Sequence, residues 1–333
     1  MDKNRKYYET NRKQIHKLTH AITRAKLLGR IYENEVSQFE RDLALVREDS
    51  DRETKELFLT ESRNHIELLL SNCTQSYEAM PKVLVKPAVY WPFFGISRIA
   101  LESSARLIYL LDREITFRQR VMRVAAFIAW SHNENRKAVN AGTWMSIQER
   151  REKILLIESK LVELKNQVHA FGLAFTNSGS DVIIKDPSNP SEPETSNFNV
   201  SQKLGVLFPD LGAAYYRSWS GFVHGAPWAL LTFRAPIAQN LLSPHGDPKS
   251  VVDAFYLVGA AMSRALDYYQ NYSGASNPEI SKQFDLLQKL SLQEAKRLEL
   301  NPQPKGLKRR IQVWWAGRIA KAWAQEPIED SHN

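Results

Sequence analysis

Apolar residues recur along this chain at intervals of three and four, the spacing that lines one side of an α-helix, and runs of alternating apolar and polar residues are almost absent. In IQERREKILLIESKLVELKNQVHA, Ile154, Ile157, Leu161, Leu164 and Val168 share one side, enough for a packing seam though too short for a long coiled coil. The pattern predicts helices over residues 5–48, 53–80, 92–112, 115–140, 146–170, 210–226, 250–272 and 278–299, and a last one after residue 305. The expected fold class is therefore all-α, a multi-helix bundle with long N-terminal helices and a C-terminal amphipathic helix. REDSDRE breaks the first two helices, with Ser50 or Asp51 as the cap of the second, and the prolines of PKVLVKPAVYWP forbid a continuous helix there. One long stretch escapes the pattern: TNSGSDVIIKDPSNPSEPETSNFN, residues 176–199, reads as a mobile surface loop in which only Val182 to Ile184 suggest a short strand.

Charge divides the chain further. The formal net charge is +8, yet residues 1–30 hold nine Lys or Arg against Asp2 and Glu9, and residues 305–325 hold six against no acid. The expected organisation is a basic helical arm over 1–52, a bundle over 53–299 and a basic, Trp-rich segment over 305–333. Such ends suit an anionic partner, nucleic acid or lipid head groups, and they equally serve solubility. In the last segment Ile311, Trp314, Trp315, Ile319, Ala322 and Trp323 form one stripe, while Lys308, Arg309, Arg310, Arg318 and Lys321 are the candidate contacts for an anionic partner. Three aligned tryptophans call for cover, from the protein's own body, a second chain, a membrane surface or stacked RNA bases.

Several function classes drop out. A single cysteine, Cys73, excludes an intramolecular disulfide and any cysteine-based zinc cluster, and points to a reducing compartment. No secretory signal opens the chain and no apolar run approaches the roughly 18 residues of a membrane span, so a cytoplasmic protein without an integral membrane segment is expected. Phosphate-binding glycine loops, HExxH and GxSxG are missing, and no cofactor is expected. His16 and His20 have the spacing of a helical metal pair, but they sit among Lys13, Lys17, Arg24 and Lys26, so no metal is assigned.

Candidate chemistry concentrates in YYRSWSGFVHG, residues 215–225. At roughly 100° per residue, Tyr215, Trp219, Phe222, Val223 and Ala226 gather on one side of a helix, and Arg217, Ser220, Gly221 and His224 on the other. Pro227 ends the helix at Ala226 and leaves His224 in its last turn, where the helix dipole favours a protonated imidazole. Ser220 and His224, four apart, can share a ligand, and Gly221 admits close approach by another backbone. Upstream, Arg98 and Glu102 are charges on a helix that is apolar around most of its circumference, which suggests either a structural ion pair or a lining of the cavity that holds His224.

Arg217, Ser218 and then His224 after six intervening positions resemble the R-x4-6-H motif of the HEPN superfamily, small all-α domains of many bacterial toxins and RNA-processing enzymes. The wider string Tyr216, Ser220, His224, Gly225, with Arg98 and Glu102 upstream, is similar to an uncharacterised bacterial branch of those proteins, over about residues 60–272. What the resemblance implies is metal-independent RNA cleavage, in a toxin or phage-defence role. Arg217 would hold the phosphate, His224 would carry the proton, and Ser220, Tyr216 and Gly221 would shape a site often completed across a homodimer. Two functions stay open: a metal-independent endoribonuclease, or a non-catalytic helical module that binds nucleotide, RNA or a protein partner with the same strip.

Overall fold

The computed structural model describes residues 36–83, 91–143, 145–178, 181–208, 212–224, 226, 234–238, 241–246 and 248–274, together with Lys13, Lys282, Leu286, Lys289 and Gln293. The helix expected over 278–299 is represented by the last four of these alone, each helical and exposed. The remainder of the basic N-terminal arm, with His16 and His20, and the whole of residues 305–333 lie outside the described residues.

Helices dominate. In chain order they are α1 (Gln38–Ala44), α2 (Arg52–Val83), α3 (Trp91–Leu110), α4 (Phe117–Ala141), α5 (Ile147–Ala170), α6 (Val200–Leu207), α7 (Gly212–Val223) and α8 (Pro248–Ser273). Local chemistry sets several boundaries. Ser37, Thr116 and Ser146 each cap a helix through a reciprocal box with Glu40, Gln119 and Glu149, so α1 starts afresh at Gln38 and the continuous helix expected over 5–48 is not formed. Turns follow at Leu45, and α2 begins directly after Asp51, whose carbonyl accepts from Lys55 N–H at 3.1 Å. The stretch expected to be one helix from 210 is preceded by a separate short helix, α6, which the sequence pattern missed.

The core forms where α3 packs between α2 and α8. Phe58, Ile66, Leu70 and Tyr77 of α2 meet Phe93, Phe94, Leu101 and Leu107 of α3, and Phe255, Val258 and Met262 of α8 close it, all fully or almost fully buried. Close approach is needed at Gly259, where an added Cβ would sit 2.9 Å from the Tyr77 hydroxyl. Cys73 is enclosed beside Ser104, and burial pushes its thiol up to about 12, which keeps it inert as a nucleophile. A buried pair, Arg120 Nε to Asp42 Oδ2 at 2.9 Å, ties α4 to α1.

The all-α expectation holds in the main, since the chain is mostly helical, but not throughout. The stretch expected to be a loop over 176–199 is largely a three-stranded antiparallel sheet, β1 (Ala174–Ser178), β2 (Asp181–Asp186) and β3 (Asn189–Thr195), in that spatial order. Phe175 pairs with Ile184 and Asn177 with Val182. Only β2 alternates clearly, burying Val182, Ile184 and Asp186 against α4, whereas β3 is exposed along most of its length. That exposure explains the misleading composition: an edge strand with no core to face accepts Ser, Glu and Pro, as at Pro190 and Pro193. Long-range ionic contacts hold the sheet in place. Arg118 grips Asp186 through Nε at 2.6 Å and Nη2 at 3.0 Å, and Arg123 Nε donates to Glu194 at 3.1 Å. A second unforeseen element is the antiparallel hairpin of β4 (Arg234–Ala238) and β5 (Leu241–Gly246).

Candidate functional site

Helix α7 is fixed by its buried foot. Trp219 is completely enclosed, its ring 6.3 Å from Phe94 and 5.5 Å from Tyr215, and the Tyr215 hydroxyl donates to Asp253 Oδ2 on α8 at 2.9 Å. Gly95 of α3 stands beside Val223, whose methyl would be 3.7 Å from a Cβ placed there. The helix stops at Val223, and the Ala226 N–H closes back on the Gly221 carbonyl at 2.8 Å in a C-terminal capping turn, consistent with the proline that follows.

On the other side, Arg217 and His224 are both exposed. Arg217 Nε donates to Ser201 Oγ of α6 at 3.2 Å, while the His224 N–H donates to the Ser220 carbonyl at 3.0 Å and the imidazole has no side-chain partner among the described residues. Ser220 and Gly221 are half-buried between them. Arg217 and His224 stand seven positions apart, about 10 Å along the direction of the helix axis.

Arg98 and Glu102 do not pair with each other. Arg98 reaches across to α7, its guanidinium 5.3 Å from the Tyr216 ring centre and its Nη2 donating to the Tyr216 hydroxyl at 3.3 Å. Glu102 instead accepts from Arg106 Nη2 at 3.1 Å, one turn further along α3. The side chains of Arg98, Glu102 and Arg106 thus form a row at every fourth position, and a periodicity search extended by one turn would have found Arg106. The same row joins α7 to a cluster that sequence reasoning missed.

The Arg106 guanidinium lies between aromatic faces, 4.0 Å from the Trp130 ring centre and 4.6 Å from Phe198. Burial pulls its pKa down, while Glu102 pushes it back up. Next to it, Tyr109 is covered by Arg123 and Lys203, each at 4.1 Å from the ring centre, and its hydroxyl is bonded to Glu194. Burial and that carboxylate hold the phenol well above its ordinary value. Burial lowers Lys203. Together Arg106, Tyr109, Arg123, Trp130 and Phe198 line a shallow cleft open to solvent. Phe198 was hidden from sequence reasoning because it falls within the segment expected to be irregular, one residue before its end.

His132 is not part of this arrangement. It lies among His65, Glu61, Lys160 and Glu163 on the α2, α4 and α5 side, and burial first, then His65 and Lys160, hold its pKa below the usual histidine value. No group of three or more His, Cys, Asp or Glu suited to hold a metal occurs among the described residues, and none of their helices is long and apolar enough to cross a membrane. No family model, curated protein or solved structure matches this chain.

Proposed function

We propose that this chain is a HEPN-like RNA-directed protein, a metal-independent endoribonuclease whose acting groups are Arg217 and His224. One observation carries it: Arg217 on α7 and His224 in the turn just past its end are both exposed, while Trp219 of the same helix is fully buried, so packing of that helix requires neither. Surface Arg and His on a rigid helix suit phosphodiester chemistry. In that reaction the RNA 2'-oxygen bonds to the adjacent phosphorus, the bond to the 5'-oxygen breaks, and the proton lost by the 2'-hydroxyl is balanced by one delivered to the leaving oxygen. His224 serves one of these transfers, and Arg217 offsets the charge gathering on the phosphate oxygens.

The test is cleavage of single-stranded RNA in excess EDTA, with products ending in 2',3'-cyclic phosphate, lost in His224→Ala and Arg217→Ala and absent with DNA. Metal-dependent cutting, equal cutting of DNA, or full activity in His224→Ala refutes the assignment. A second reading, binding without cleavage, is favoured by the Ser201 contact, which draws Arg217 towards α6 and away from His224. RNA bound at equilibrium and recovered intact identifies that case.

A further inference from the structure

Resting on the RNA reading above, we infer that the surface shared by α3, α4, β3, α6 and α7 is a platform for single-stranded nucleic acid, with bases against Trp130, Phe198 and Tyr216 and phosphates on Arg98, Lys203 and Arg217. Three features point there. First, these three cations have no carboxylate within ion-pair distance among the described residues, whereas their neighbours Arg106 and Arg123 are neutralised by Glu102 and Glu194. Lys203 is half-buried and its amine rests on the Tyr109 ring, so it gains from an added anion. Second, the aromatic residues alternate with the cations: Tyr216 is stacked with Arg98, Phe198 and Trp130 flank Arg106, and Tyr109 lies under Lys203. Rings beside positive charge are what a flexible strand uses for stacking and backbone contact together. Third, the surface is continuous with the proposed reacting edge, because Tyr216 adjoins Arg217, which is bonded to Ser201 on the helix that carries Lys203.

The shape selects among nucleic acids. Arg106 fills the depth of the cleft, leaving a shallow rim. A free nucleotide finds too little enclosing surface there, whereas a strand adds several shallow contacts along its length. A duplex keeps its base faces covered and offers nothing to Trp130 or Phe198.

Binding of a fluorescent, uncleavable 2'-O-methyl oligouridine to the full chain, followed by anisotropy in EDTA over a range of salt, tests this. Expected are saturable binding, a roughly fivefold or greater loss in Trp130→Leu, and a salt slope reduced by about 0.7 for each of Lys203→Ala and Arg98→Gln. Lys160→Ala, on α5, should leave the slope unchanged. Since Trp130→Leu can fail by misfolding, circular dichroism accompanies it, and Lys203→Ala, which removes no ion pair, decides the matter alone. Variants that bind like the parent, a duplex bound equally well, or displacement of the strand by UMP at comparable concentration overturns the platform. Cleavage of unmodified RNA at an unchanged rate in Lys203→Ala overturns the platform and leaves the nuclease standing. Strand binding that depends on Lys203 and Arg98, with no cleavage of unmodified RNA, supports the platform and removes the nuclease.

Discussion

Trp219→Ala separates the two sides of α7 most sharply. The indole is fully buried against Phe94 and Tyr215, so its loss leaves a cavity that surrounding aromatic rings fill only in part. Large aromatic-to-alanine changes in such places cost about 3 to 5 kcal/mol. One feature of the site moderates the figure: the indole N–H is buried without a hydrogen-bond partner, a penalty of about 1 to 3 kcal/mol that the substitution relieves. The expected loss is therefore near the lower end, about 3 kcal/mol. Trp219→Phe tests that reasoning from the other direction, since it removes the orphan donor yet keeps a ring, and should cost less than about 1.5 kcal/mol. Arg217→Ala and His224→Ala, both exposed, should stay within about 0.5 kcal/mol of the parent. Urea unfolding followed by the helical circular dichroism signal gives all four values, provided the slopes agree. A loss above about 2 kcal/mol in His224→Ala would make the histidine structural and withdraw the catalytic assignment. Tolerance of Trp219→Ala would show instead that α7 is not anchored by its apolar side.

Further outcomes follow from the same contacts. Arg120→Met leaves Asp42 as an uncompensated buried charge and should destabilise by about 3 to 5 kcal/mol, whereas changing both partners to apolar residues should recover much of the loss in the same denaturation assay. His65 and His132 have folded pKa values below the ordinary one, first because of burial, so the unfolded chain binds their protons more readily. Their stabilising contribution is present above about pH 6.5 and declines as pH falls below it, and a double change of both to Gln should flatten the melting temperature over that window. Gly172, at φ +66°, turns α5 into β1, and Gly172→Ala should cost about 1 kcal/mol, seen as a lowered denaturation midpoint.

The sequence by itself determined the long helices α2 to α5, α7 and α8 and much of which side of each faces inward, though not the short helix α6. Its spacings place Ile157, Leu164 and Val168 of α5 and Trp219 of α7 in the buried set, although α7 ends at Val223, three residues before the expected end at Ala226, so that His224 stands in the turn beyond the helix and not in its last turn. It also placed Arg217 and His224 on the polar side, and both are exposed, because a helical wheel is a local property carried by consecutive residues. Only the tertiary structure decided what each charge meets. Arg98 and Glu102 have ideal spacing for an ion pair, yet Tyr216 claims the arginine across the interface with α7, and Arg106 competes for the glutamate from the next turn. The strands were illegible for a related reason. β3 faces no core, so nothing imposes alternation on its residues, and what orders it is a set of contacts from Tyr109 and Arg123, about seventy or more positions away in the chain. Local periodicity records burial within an element, whereas the cleft arises from side chains that α3, α4, β3 and the segment after β3 bring together, and no spacing within one element encodes that meeting.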